Sequence, residues 1–180
     1  MRPITSYDEA YQALSYNNAF GAEAVKDYTQ FTRVARHSTV AAARALGIHD
    51  VAETAGNLQM NLTQVVDGIT GLEHSMGMTP LYSDVVKLMA ATEVAITPTL
   101  IVVYNGPAGE TYFHRTERIW ENDKLLKLQT RDELLRFRRP THYWDDEQYA
   151  PKMAATLKPL YEAGISLQLG AHGQMSGVDA

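Results

Sequence analysis

The chain has 180 residues, of which 45% are hydrophobic, with 16 Lys+Arg against 21 Asp+Glu for a formal net charge of -5. That is enough for one domain with a substantial core, and the acidic balance gives no support to nucleic-acid binding, which wants a clustered basic face. The lack of cysteine excludes disulfides and thiolate metal sites, so any metal must be held by nitrogen and oxygen ligands.

Helical periodicity alternates with short β-rich runs. Ser6–Phe20 reads as a helix, Ala22–Tyr28 as a short strand, and Phe31–Leu46 as a second helix closed by Gly47, which suits a left-handed cap. Asp50–Glu53 continues as a strand, Asn57–Asp67 as a helix stopped by Gly68, and Ile69–His74 as a strand. Pro80–Thr92 is read as a helix with Pro80 near its first turn, and Val94–Val103 (VAITPTLIVV) is the most β-rich run of the chain. Residues 105–146 mix Pro, Gly, Trp and Tyr in a polar setting and read as an insertion, or lid, over the end of the preceding strand. The basic run Arg131–Arg139 within it (RDELLRFRR) is interleaved with acids and apolar residues and reads as an amphipathic helix. Glu147–Ala163 is helical in pattern, with Pro151 and Pro159 arguing for a late start and an early end, and Ile165–Ala171 closes as a strand.

Strands alternating with helices at spacings of roughly 20–30 residues imply βαβ units and a parallel sheet. Side chains at the carboxyl ends of such strands converge on one face. Here those positions are Lys26, Glu53, His74, Thr97 with Thr99, and His172. Taken singly, each has a plain reading. Lys26 can pair with Asp27 at the surface, Glu53 can sit favourably near a helix N-terminus, and a lone His74 can be a hydrogen-bonded core residue. The small neighbours of His172 in LGAHGQ permit close approach. His37, His49, His114 and His142 are read as structural or substrate-contacting. The functional reading rests on the set converging.

ITGLEHSMG, followed by PLYSDVVKLMAATEVAITPTLIVVYNGPAGETYFH and LYEAGISLQLGAHGQMSG, resembles the amidohydrolase superfamily, in particular its imidazolonepropionase-like branch, including barrels found behind Tol-type β-propeller repeats. AFGAEAVKDY fits the segment in which that superfamily places a barrel lysine. The resemblance runs from about Tyr7 to Gly177. It implies an α/β fold that is part of a (β/α)8 TIM-type barrel, about strands 4–8, with the long insertion after strand 7 and the whole of residues 1–180 as one incomplete domain. It further implies a metal-dependent hydrolase of amide-like bonds using a metal-activated water. Lys26, Glu53, His74 and His172 are the implied metal ligands, zinc first with manganese or iron as alternatives, and His172 and Glu53 are the candidate proton acceptors. Two departures stand out: glutamate at residue 53, where the superfamily usually has histidine, and histidine at residue 172, where it usually has aspartate. There is also no His-x-His pair. Thr99, Tyr104, Tyr112 and His114, with Trp120, are expected against a small-molecule or peptide substrate.

Two other readings stay open. An incomplete barrel leaves open parallel edges that invite pairing, either in a homo-oligomer or with the remainder of a parent barrel, so a non-catalytic interaction domain is the alternative. A small doubly wound binding protein is the other, although it lacks a phosphate-cradling glycine loop. No stretch approaches the roughly 20 apolar residues of a membrane span. MRPITSYDEA carries no basic lead and apolar run, which leaves a cytoplasmic or a periplasmic parent open.

Overall fold

The computed structural model describes residues 4–28, 30, 32–54, 56–102, 116–136 and 144–172. Its centre is a four-stranded parallel sheet in the order β1 (Ala24–Asp27), β2 (His49–Glu53), β3 (Gly71–Glu73) and β4 (Ala95–Thr97). Helices α1 (Tyr7–Ala19), α2 (Arg33–Leu46), α3 (Leu58–Asp67) and α4 (Ser83–Thr92) alternate with the strands. After β4 come two short 3-10 turns, Ile119–Glu121 and Leu125–Lys127, then α5 (Arg131–Arg136) and α6 (Tyr149–Glu162). A parallel isolated bridge from Leu167 to Ile96 follows. Sequential parallel strands joined by helices agree with a partial TIM-type α/β fold.

Local chemistry explains the boundaries. The Ser6, Thr32 and Asn57 side chains accept from backbone N–H groups of the first turns of α1, α2 and α3, which satisfies donors that the helix leaves orphaned. Gly47 and Gly68 end α2 and α3 with φ of 68° and 102°, a conformation glycine adopts without steric cost. In α5, Thr130 and Glu133 bond reciprocally through side chain and backbone, a capping box on the stretch expected to be an amphipathic helix.

Several elements differ from expectation. The strand expected over Val94–Val103 stops at Thr97, because Pro98 has no N–H to give to a ladder. The strand expected at Ile165–Ala171 is reduced to one bridge, held by Ile96 N–H to Ser166 O and Gln168 N–H to Ile96 O. α4 begins at Ser83 and not near Pro80, since the chain is still extended at Tyr82. Conversely, α6 runs through both prolines. Pro151 sits in the first turn, where its missing N–H has no partner to lose, and Pro159 lies in the last turn.

The main core is sandwiched between the outer face of the sheet and α2, α3, α4 and α6. It contains Val40, Ala52, Val65, Leu72, Met89, Ile96 and Leu160. A second cluster, Ala10, Leu14, Ala42, Ala43 and Ile48, fastens α1 to α2. Ile119, Leu125 and Leu134 form a separate small cluster within the insertion. No helix among the described residues is long and apolar enough to cross a membrane.

Candidate active site

Strand register decides which side chains meet. Lys26 pairs with Val51, Glu53 with Glu73, and Glu73 with Thr97. Because successive side chains point to opposite faces, Lys26, Glu53, Glu73 and Thr97 share the inner face of the sheet. Asp27, Ala52, Leu72 and Ile96 take the outer face, under the helices.

At the carboxyl ends, Lys26 Nζ lies 2.6 Å from Glu53 Oε2, and His74 Nε2 lies 2.9 Å from Glu53 Oε1. Glu53 and His74 are buried, while 46% of the Lys26 side chain is exposed. The His172 ring lies 5.5 Å, centroid to centroid, from that of His74, and its buried Nδ1 has no hydrogen-bond partner among the described residues. Four residues from distant parts of the chain therefore meet at one end of the sheet.

The frame around them is tightly bonded. Gln64 of α3 donates to Glu53 O at 3.0 Å, Asn61 donates to Met76 O at 3.0 Å, and the His74 backbone N–H donates to Thr97 O at 2.7 Å. His74 has φ of 74°, a left-handed conformation that costs a non-glycine residue energy and clusters at functional sites. Burial, together with Lys26 and His172, holds the His74 imidazole below its ordinary pKa against the opposing pull of Glu53 and Glu73. His74 is therefore neutral near pH 7, and a neutral ring that meets Glu53 through Nε2 carries its proton there.

Thr99 is buried with φ of 43°, and its hydroxyl donates to Thr97 O at 3.3 Å. Gly170 packs so closely on it that an added Cβ would fall 2.2 Å from Thr99 Oγ1. This close approach lets the returning segment carry His172 onto the site. Tyr104, Tyr112 and His114 lie outside the described residues. Trp120 is half-buried against Ile119, Leu125 and Leu134, so it serves the local core of the insertion. His37 pairs with Asp67, away from this cluster.

Glu73 was not among the expected site residues. It is half-buried, accepts from Thr97 Oγ1 at 3.2 Å, and lines a cavity of about 760 Å³ on the inner face together with Val51, Gly71, Thr97 and Gln168. Its signal in the sequence was its parity with Glu53, hidden behind the neighbouring histidine. As ligand chemistry, one carboxylate and two imidazoles suit a divalent ion, and the orphaned His172 Nδ1 adds to the fit. Among the described residues, however, no three His, Asp or Glu side chains already stand at positions to share one ion. Glu53 is engaged by Lys26 on one oxygen and by His74 on the other.

No protein-family model and no curated protein matches the chain. Among solved structures it is similar to a Xaa-Pro dipeptidase with methionine bound in the active site. The TM-score is 0.56 at 16% identity, over 98% of this chain and 41% of that one. It is also similar to an uncharacterized protein, with a TM-score of 0.54 at 19% identity, over 94% of this chain and 39% of the other. The chain thus spans about two-fifths of the length of either neighbour. At these identities the likeness is one of fold, an α/β architecture built on a parallel sheet.

Proposed function

We propose that this chain belongs to a metal-dependent hydrolase of amide-like C–N bonds, of the imidazolonepropionase-like kind, and contributes about strands 4–8 of its (β/α)8 barrel. The observation that carries the reading is the meeting of Lys26, Glu53, His74 and His172 at the carboxyl ends of parallel strands. Reactions in such folds occur there. The fold likeness to a Xaa-Pro dipeptidase supports a peptide-like or other small-molecule substrate.

Glu53, His74 and His172 would hold the ion, with Lys26 at its edge. When bound, zinc (or manganese or iron) supplies Lewis-acid polarisation of the scissile carbonyl and acidifies a water. Glu53 touches both Lys26 and His74, so it can accept the proton of an attacking water and pass it on. Neutral His74 is ready to ligate. His172, whose ring stands beside that of His74, is the second candidate proton acceptor. Thr99 shapes the floor of the site, and Tyr104, together with Tyr112 and His114 of the 105–146 insertion, would meet the substrate.

Melting curves with and without Zn²⁺, Mn²⁺ or Fe²⁺ test this. Saturating metal at about 100 times Kd adds about 2.7 kcal/mol, which is roughly 5–10 °C for a chain of this size. His74→Ala should abolish the rise, and melting that is blind to metal in the unmodified chain would contradict the reading.

A second reading, a non-catalytic interaction domain, is favoured by the edge of β1, which no strand among the described residues covers, and by exposed Ala24 and Lys26 on that strand. Such an edge can pair with a second copy or with the rest of a parent barrel. A mass measurement in solution that finds dimers, with no metal effect, would select it.

A further inference from the structure

The inner face carries a cross-strand row of polar side chains that the ligand set leaves unused. Glu73 on β3, Thr97 on β4 and Gln168 on the bridged segment stand side by side along the 760 Å³ cavity. This row is short of hydrogen-bond donors. The Thr97 hydroxyl lies 3.2 Å from Glu73 Oε1 and 3.3 Å from Gln168 Oε1, but it has one proton to share between them. Turning the Gln168 amide over would let its NH2 donate to Thr97, yet among the described residues nothing would donate to Glu73 Oε2. No Lys or Arg forms an ion pair with Glu73 among the described residues, since Lys26 is taken up by Glu53. The basic groups that line the cavity, Arg44 and His49, belong to the end of α2 and the start of β2. They are therefore at the opposite end of the strands from Glu73.

A half-buried carboxylate with spare lone pairs, facing a cavity, wants N–H donors. We infer that Glu73, flanked by Thr97 and Gln168, recognises a donor-rich cationic group of the ligand, an ammonium or a guanidinium. This rests on the hydrolase reading and deepens it. Glu73 pairs in register with Glu53 and immediately precedes His74, so the cation would be held one side chain away from the reacting bond. Substrates carrying a basic group near that bond would be selected over neutral ones of the same shape.

The test titrates the full 180-residue chain with matched probes, followed by amide shifts in NMR. N-acetyl-arginine amide is compared with N-acetyl-citrulline amide for a guanidinium, and alaninamide with N-acetyl-alaninamide for an ammonium. The cationic member of at least one pair should bind roughly tenfold more tightly and move the amides of Glu73 and Thr97. Glu73→Gln should bring that pair to equal affinity. Should this variant fail to fold, Glu73→Asp, which keeps the charge but withdraws it by one methylene, should cut the preference several-fold. Equal affinities in the unmodified chain, no binding of any probe, or a preference untouched by either variant would overturn the proposal. Zn²⁺ melting of the unmodified chain is read alongside. Cation selectivity without a metal response leaves the Glu73 site standing and removes the hydrolase reading, and a metal response without cation selectivity does the reverse.

Discussion

The two faces of the one sheet, built from alternate residues of the same strands, differ sharply. The outer row of Ala52, Leu72 and Ile96 is sealed under the helices at 1%, 0% and 1% exposure. The inner row of Glu53, Glu73, Thr97 and Gln168 is polar, and Glu73, Thr97 and Gln168 line a cavity. Stability therefore belongs to the outer face and the candidate site to the inner one, and a shift of one residue in register would exchange them. The helix layer extends the first role. The fully buried carboxylate of Asp67 accepts from Arg36 at 2.7 Å and Arg33 at 2.8 Å, and lies 2.9 Å from His37, which ties α3 to α2.

The comparison breaks if mutations on the two sides cost the same. Asp67→Ala, which strands Arg36 in the interior, should have the largest effect, about 3–5 kcal/mol in chemical denaturation. Leu72→Ala should follow with about 3 kcal/mol, from lost burial and a residual cavity. Asp50 sharpens the contrast, because it is an acid on the outer face with both carboxylate oxygens buried and unpartnered among the described residues. Burial, and then the neighbouring Asp27, push its pKa from 3.8 up to about 7. Asp27 is itself raised by burial, against Gln30 and Arg36. The folded chain keeps a proton on Asp50 that the unfolded chain releases. The resulting stability is complete below about pH 4 and is lost as pH rises to about 7. Asp50→Asn, which mimics the protonated acid, should therefore be nearly neutral at pH 4 and stabilising by roughly 2 kcal/mol at pH 8. A denaturation series without that pH dependence would remove Asp50 from the account. The smallest effect belongs to the inner face, where Glu73→Gln should cost less than about 1 kcal/mol.

Much of this architecture was legible in the residues. The stops at Gly47 and Gly68 fixed the ends of α2 and α3, because capping is a local matter, and helical periodicity placed the bounds of α1 to α3 to within a residue or two. The strands were readable as apolar runs but not in length. Pro98 cut the fourth one short, and among the described residues the fifth is reduced to a bridge at Leu167. Lys26, Glu53, His74 and His172 could be found because each ends a strand or begins the loop after one. Their engagement with one another could not, since the distance from Glu53 Oε1 to His74 Nε2 depends on register and on a left-handed backbone at His74. Glu73 escaped because a two-residue alternation must be counted across three strands before its company becomes visible.

We propose that the inner-face end of this sheet holds a divalent ion through His74 and His172. Imidazole ¹⁵N spectra of the chain titrated with Zn²⁺ address it most directly. At one equivalent, ring nitrogens of His74 and His172 should shift together while those of His37 and His49 stay in place. Unmoved resonances at His74 and His172, or a response confined to His37 and His49, would contradict it.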